Sequence, residues 1–345
     1  MQIDFRLVWF DSFGAKSSCT LVKTDDVSIL IDPGIAIMHA SFPASLAKKV
    51  YWREKGAREI RKAFKHADVV VISHYHWDHF LREAKLYKGK LILAKNPNEY
   101  INDSQRKRAC DFFGSIFKEL GIEVERKKTR RRKFEDPAKK LRSVRLDFGD
   151  YNQRRKELLK KGEVWFRKRA EKWKRFWVIP EVKTGEFQLI FPEGRTFRFG
   201  KTKLRFTRPL FHGIEYSRVG WVFSTIVERG REKLIHSSDL NGPIIEDYAD
   251  FIIRENPTYL ILDGPMTYML GYTLNLINFG RVLKNAKRIV RKVDFKVMIW
   301  DHHLPREPKF RERTSEVWEL ARKLNKNLQT ASEYQLGKLP VVERL

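Results

Sequence analysis

The chain contains little that would link its parts covalently or hold it in a membrane. It has two cysteines, Cys19 and Cys110, among 345 residues, which is too few for a disulfide framework or a thiolate metal site. No apolar run approaches the roughly 18 residues of a membrane span, and residues 1–6 lack the pattern of a secretory signal. The sequence therefore predicts a cytoplasmic protein with no membrane association.

Acidic residues are scarce relative to basic ones. The chain has 43 Asp and Glu against 70 Lys and Arg, for a formal net charge of +27. Such a surface favours polyanions, and we expect RNA, DNA or another phosphorylated substrate as a partner. Heat-adapted proteins also accumulate charged residues, which is an alternative source of part of the excess. Apolar residues make up 42% of the chain, enough for a large core and against global disorder.

Potential metal ligands are concentrated in residues 73–79, with the sequence SHYHWDH. This segment directly follows residues 69–72, whose short β-branched run predicts a buried strand. Since alternate residues of a strand point to the same side, His74 and His76 are expected to face one point. Asp78 and His79 reach a second point as the chain turns. Imidazole and carboxylate donors suit zinc, manganese or iron; the alternative is a solvated polar loop with core histidines.

The pattern His-x-His-x-Asp-His resembles the signature of the metallo-β-lactamase superfamily, and candidates for its other motifs follow in order. Asp32 ends a predicted strand, and the resemblance implies that it supports the metal loop through hydrogen bonds. His212 and Asp239 follow later strands, as the third and fourth motifs do. His302 and His303 compete for the last motif. Residues 302–306 resemble the ending of the tRNA 3′-processing members, which favours His302, and the double histidine is similar to a poorly characterised archaeal group of predicted hydrolases.

The resemblance implies an α/β fold, a four-layer αββα sandwich with a basic helical insertion, and a site for two divalent metal ions. Zinc is expected, with manganese or iron as alternatives. The implied ligands are His74, His76 and His212 for one ion, Asp78, His79 and either His302 or His303 for the other, and Asp239 as the bridge. A hydroxide formed on the metal would attack the substrate, and Asp78 or Asp239 would orient it and take its proton.

A long interval separates the metal loop from His212, and we expect an insertion or lid at 100–180. The sandwich would then consist of two halves, 1–99 and 181–345. Residues 126–176 hold 22 Lys or Arg against seven Asp or Glu, a net charge of +15. Aromatic residues at helical spacing lie among them, so this segment is predicted either to bind nucleic acid or to form a solvated basic helix packed by its aromatic face. The candidate anion contacts are Arg130, Arg131, Arg132, Arg154 and Arg155.

These features predict a dinuclear metal-dependent hydrolase acting on a phosphodiester or on nucleic acid. A hydrolase of a small ester, thioester or lactone is the first alternative, with the insertion as a structural lid. A redox protein with iron at the same ligands is another. The last is a non-catalytic nucleic-acid-binding protein that the metal stabilises. The oligomeric state is left open.

Overall fold

The apolar runs of the sequence pair into two seven-stranded sheets in a computed structural model, which describes residues 2–125, 127, 128 and 133–345. The first sheet has the spatial order β1-β2-β3-β4-β5-β7-β6. Its strands are β1 (Asp4–Phe10), β2 (Ser18–Lys23), β3 (Ser28–Ile31), β4 (Val69–Ile72), β5 (Lys90–Ala94), β6 (Val182–Lys183) and β7 (Phe187–Ile190). Strand β4 is parallel to both neighbours. All four of its side chains are buried, which explains its uninterrupted apolar sequence.

The second sheet has the spatial order β16-β15-β14-β13-β12-β9-β8, and β10 pairs with β11 outside it. The strands are β8 (Thr196–Phe199), β9 (Thr202–Phe206), β10 (Leu210–Phe211), β11 (Trp221–Val222), β12 (Thr225–Arg229), β13 (Glu232–His236), β14 (Tyr259–Asp263), β15 (Val297–Asp301) and β16 (Leu328–Gln329). Strands β13 to β16 are parallel. Their carboxyl ends therefore share one edge of the sheet, which is where ligands bind in many α/β folds.

Helices cover the outer faces of both sheets. They are α1 (Leu46–Phe64), α2 (Asp103–Glu119), α3 (Asn152–Trp173), α4 (Glu246–Glu255), α5 (Leu276–Lys292), α6 (Phe310–Arg313), α7 (Ser315–Lys323) and α8 (Ala331–Leu336). One apolar cluster joins side chains of both sheets with α1 and α2, and a second joins the other face of the second sheet to α4, α5 and α7. The predicted four-layer α/β sandwich is confirmed.

The segment 100–180 lies between β5 and β7, which pair directly with each other. Two features differ from the expected division of the chain. Strands β6 and β7 complete the first sheet although they follow the segment. Helix α2 lies within the segment, yet it buries Phe112, Phe113 and Ile116 in the main core. The first half of the predicted insertion is thus an outer layer of the sandwich rather than a lid.

Helix α3 packs by its aromatic face. Phe166 and Trp173 are buried, and the Trp165 ring stacks on Trp221 with 5.5 Å between the ring centroids. These rings are occupied by the core, so of the two predicted roles for the aromatics, packing is the one found. No helix in the described ranges is both long enough and apolar enough to cross a membrane.

Candidate metal centre

Loops from both sheets meet at one edge of the sandwich. Residues 73–79, the His-rich loop, follow β4, and His212 follows β10. Asp239 comes three residues after β13, and His302 directly follows β15. Packing of the two sheets therefore brings together ligand candidates that lie up to 228 residues apart in the chain.

The Asp239 carboxylate lies at the centre of these loops and is almost fully buried. Its Oδ2 is 3.2 Å from Nε2 of His212, 3.3 Å from Nε2 of His79 and 3.4 Å from Nε2 of His74. Its Oδ1 is 3.4 Å from Nε2 of His302. Asp239 thus contacts imidazoles of both predicted metal positions, as a bridging ligand would.

The side chains fall into groups in which one donor atom from each residue lies within 4.8 Å of the others. The groups are His74, His76, His212 and Asp239; Asp78, His79 and His302; and Asp239, His302 and His303. The structure therefore brings all the predicted ligand residues together, and the first two groups are those expected for the two ions. Their role as ligands stays a prediction.

The buried polar atoms of the site test whether a metal fits. Several of them have no hydrogen-bond partner within the described part of the chain: Nε2 of His74, His79, His212 and His302, and Oδ1 of Asp239. Buried polar atoms are nearly always paired, because leaving them unpaired is costly. A cation at the centre would satisfy these atoms together, and nitrogen with carboxylate oxygen is a donor set for a divalent transition metal.

The pKa values of the site divide its histidines into two sets. Burial, with the adjacent charge of His79, lowers the pKa of His74 to about 4, and burial keeps the pKa of His76 well below its usual value. Both imidazoles are therefore neutral, with a lone pair available. Burial opposes ionisation of Asp78 and Asp239, but neighbouring histidines outweigh it and hold the pKa of each carboxyl below its usual range. Burial also disfavours the charged forms of His79 and His302, but neighbouring carboxylates outweigh it: Asp239 and Asp32 raise the pKa of His79 to about 10, and Asp11 and Asp239 raise the pKa of His302 well above its usual value. An incoming cation would displace the protons of these two imidazoles.

Asp32 binds the His-rich loop through its carboxylate. Its Oδ1 accepts a hydrogen bond from the backbone N–H of Ser73 at 2.7 Å, and its Oδ2 accepts one from the Ser73 hydroxyl at 2.6 Å. Oδ2 also lies 3.0 Å from Nδ1 of His79. These are the contacts that the predicted supporting role requires, because they orient an imidazole whose other nitrogen faces Asp239.

The two adjacent histidines occupy different positions. His302 Nε2 lies 3.4 Å from Asp239 and 3.9 Å from Oδ2 of Asp78, so it faces both carboxylates of its group. His303 Nε2 is 3.8 Å from Asp239, and its Nδ1 is 3.6 Å from Asp263. His303 is absent from the group that contains Asp78. The geometry therefore favours His302 as the candidate ligand.

The sequence reasoning missed Asp11, which follows β1 and is fully buried. Its carboxylate accepts hydrogen bonds from the backbone N–H of His303 at 2.8 Å and from Nε of Arg306, and lies 3.1 Å from Nδ1 of His302. Burial opposes its ionisation, but Arg306 and His302 outweigh it and hold the pKa of Asp11 well below its usual range. The available signal was a carboxylate at the end of an apolar strand, the same signal that identified Asp32.

The predicted anion contacts separate into three cases. Arg130, Arg131 and Arg132 lie outside the described residues. Arg154 is exposed and pairs with Glu157 at 2.9 Å. Arg155 is buried: Nη2 donates to Glu215 at 2.8 Å and to a backbone carbonyl, and Nη1 donates to another carbonyl. Contrary to expectation, Arg155 is committed to internal partners and does not face an external anion.

Helix α3 lies against the loop that carries His212. Arg155 bonds Glu215 of this loop, and a side chain at Gly162 would collide with the Tyr216 ring, where an added Cβ would lie 2.5 Å away. Trp165 stacks on Trp221, where the loop ends. The basic helix therefore packs against the loop that joins His212 to β11.

Residues 14–82 match the model of the metallo-β-lactamase superfamily. Among solved structures, the metallo-β-lactamase fold protein YhfI from Bacillus subtilis is similar over 95% of each chain, with 12% identity and a TM-score of 0.43. The matched residues include Asp32 and the His-rich loop, so this part of the chain is similar to a metallo-β-lactamase domain.

The particular family follows from relatives along nearly the whole chain. The UPF0282 protein of Methanocaldococcus jannaschii is 30% identical over 337 residues, covering 94% of this chain and 88% of that protein. The UPF0282 protein of Methanopyrus kandleri is 29% identical over 324 residues, covering 90% and 87%. This chain belongs to the UPF0282 family. The expected resemblance to an archaeal group of the superfamily is confirmed.

Proposed function

We propose that this chain is a dinuclear metal-dependent hydrolase, with zinc as the expected metal, and that it cleaves phosphodiester bonds in nucleic acid. The observation that carries the proposal is the convergence of unpaired imidazole nitrogens on the buried Asp239 carboxylate. His74, His76 and His212 would hold one ion, and Asp78, His79 and His302 would hold the other.

Divalent ions in such a site act as Lewis acids and lower the pKa of water towards neutrality. The side chains of this chain then have separate tasks. Asp239 is buried among imidazoles and offsets the positive charge of the site. Asp78 has 14% of its side chain exposed and is ionised, so it is the better placed of the two carboxylates to accept a proton from an attacking water. Hydrolysis in this form requires no hydroxyl or thiol nucleophile.

The basic face of α3 supports nucleic acid as the substrate class. Lys156, Lys160 and Arg167 are exposed, and their spacing of four and seven residues puts them on one side of the helix. Lys168 is exposed beside them. None of the four has an ion-pair partner in the ranges that the structure describes. Free cations on a helix that packs against the loop carrying His212 are suited to successive phosphates.

The proposal is tested by turnover and metal content together. Purified protein loaded with zinc or manganese is assayed on RNA, DNA and methyl 4-nitrophenyl phosphate, and its metal is counted by mass spectrometry. We expect two ions per chain and a loss of at least ~100-fold in turnover for His76→Ala, because an ion that loses a ligand is bound weakly and misplaced. His66→Ala, which changes an exposed histidine at the end of α1, is the matched control and should match the wild type.

Other outcomes would count against the proposal. Undiminished phosphodiester cleavage by His76→Ala would contradict the assigned site. Turnover restricted to small esters, thioesters or lactones would favour a hydrolase of small substrates. Bound iron with redox activity would favour a redox protein. Metal-dependent folding with RNA binding but no turnover would indicate a binding protein.

A further inference from the structure

An exposed tryptophan lies beside the candidate metal centre. Trp77 is located between His76 and Asp78 in the chain, yet its side chain points outward and is 37% exposed. Phe80 lies against it at 5.3 Å between ring centroids and fixes its position. Burial in the core therefore does not explain this indole, and its neighbours in the chain place it at the edge of the site.

Two arginines flank the Trp77 ring. The guanidinium carbon of Arg82 lies 4.7 Å from the ring centroid, and that of Arg108 lies 5.3 Å from it. Arg108 donates one hydrogen bond, to the Tyr75 carbonyl at 3.2 Å. Within the described part of the chain neither guanidinium pairs with a carboxylate. The result is a partly exposed indole with two guanidiniums over its ring, each with N–H groups that bind no carboxylate of the described residues.

The basic helix α3 meets α2, which carries Arg108, at the end nearest this surface. Arg169 and Lys172 of α3 both bond the Asp103 carboxylate, the first residue of α2, at 3.0 and 3.1 Å. Arg108 is five residues further along α2. The packed helices α3 and α2 therefore connect the free cations of α3 with the arginines at Trp77. A polyanion bound along α3 would extend towards Trp77 and the metal centre.

We propose that Trp77, Arg82 and Arg108 form a stacking platform for an unpaired nucleobase next to the scissile bond, with the two guanidiniums binding the adjacent phosphates. The proposal rests on the function proposed above and narrows its substrate class to single-stranded nucleic acid. Bases in a duplex already stack on each other, whereas unpaired bases stack on aromatic rings and on guanidinium planes. Two guanidiniums without an ion-pair partner in the described part of the chain favour a polyanion over a neutral or basic partner.

The test measures binding separately from turnover. A fluorescent 2′-O-methyl oligoribonucleotide, which lacks the free 2′-hydroxyl, is titrated by anisotropy into the metal-loaded full chain as a single strand and as a duplex. We expect Trp77→Ala to weaken single-strand binding by about 5- to 150-fold, the range for loss of one stacked base. Trp77→Phe should retain most of the affinity, and duplex binding should change little. Tyr51→Ala, which removes an aromatic ring that is 56% exposed on α1, is the control.

A second variant keeps the proposal falsifiable if Trp77→Ala folds poorly. Arg82→Gln changes an exposed side chain, and it should reduce the salt dependence of single-strand binding by about one phosphate contact. Wild-type affinity in well-folded Trp77→Ala, equal losses for strand and duplex, or an unchanged salt slope in Arg82→Gln would each overturn the platform.

The two proposals fail in different ways. If methyl 4-nitrophenyl phosphate is hydrolysed but the KM for a single-stranded substrate does not depend on Trp77, the platform is wrong and the hydrolase stands. If single strands bind through Trp77 but no phosphodiester is cleaved, the platform stands as a binding site and the proposed hydrolysis is wrong.

Discussion

The buried charges that attach α3 to the loop carrying His212 allow a quantitative prediction for Glu215→Gln. Glu215 Oε1 accepts hydrogen bonds from Arg155 and from Arg281, each at 2.8 Å. All three side chains are at most 8% exposed. Glutamine has nearly the same shape, so the substitution removes the negative charge and leaves the packing in place.

The expected cost follows from what each arginine retains. Arg281 keeps its second carboxylate, Glu246, at 2.9 and 2.7 Å. Among the described residues, Arg155 keeps the backbone carbonyls of residues 143 and 144 and the face of the Phe148 ring, 4.7 Å from the centroid. Breaking a buried ion pair typically costs about 3–5 kcal/mol, and because part of this network survives we expect the lower end, about 3 kcal/mol of unfolding free energy.

The dependence on pH has a definite sign. Burial raises the pKa of Glu215, but Arg281 and Arg155 outweigh it, and the net pKa lies below the usual value. A carboxyl whose pKa is lower in the folded state contributes stability above its unfolded pKa of about 4.3, and loses it as the pH falls through the folded value. The difference between wild type and Glu215→Gln should therefore be full at neutral pH and shrink below about pH 4.

The assay is chemical denaturation followed by tryptophan fluorescence, because Trp165 and Trp221 stack at the contact between α3 and this loop. Glu157→Gln is the matched control. It removes the ion-pair partner of Arg154, the exposed residue that directly precedes Arg155 on α3. This substitution should change the free energy of unfolding by less than about 1 kcal/mol. Equal stability of the two variants at neutral pH would refute the reasoning.

Three further predictions concern the metal centre. Asp11→Asn should weaken metal binding by about 10- to 100-fold in a chelator competition, since the carboxylate that orients His302 loses its charge; unchanged affinity would contradict this role. His302→Ala should lower the metal content to about one ion per chain while His303→Ala retains about two, as counted by mass spectrometry; the reverse result would exchange their roles. Gly34→Ala should lower the unfolding free energy by at least about 1–3 kcal/mol, because an added Cβ would lie 2.2 Å from the backbone nitrogen of His79 in the His-rich loop; a neutral effect on thermal unfolding would show that the loop can move aside.

Local pattern was sufficient for the parts of the site that lie on one stretch of chain. Residues 74–79 hold four candidate ligands next to a strand whose apolar run is explained by burial on both faces. Asp32, His212 and Asp239 were found because each follows a predicted strand in the order of a known superfamily. The two-sheet fold was predicted from the same resemblance, while strand periodicity located individual short strands.

Long-range packing decided the rest. Arg154 and Arg155 are neighbours with the same chemistry, yet one faces solvent and the other is buried against Glu215, 60 residues away. The choice between His302 and His303 depends on Asp78 and Asp11, which lie in the segments that follow β4 and β1.

The sequence by itself thus determined which residues are available to hold metal, because candidate ligands are recognisable by type and by position after a strand. Only the tertiary structure determined which arginine is exposed, which histidine faces both carboxylates, and that α3 packs against the loop that carries His212. These outcomes are set by contacts between segments far apart in the chain, which no local pattern encodes.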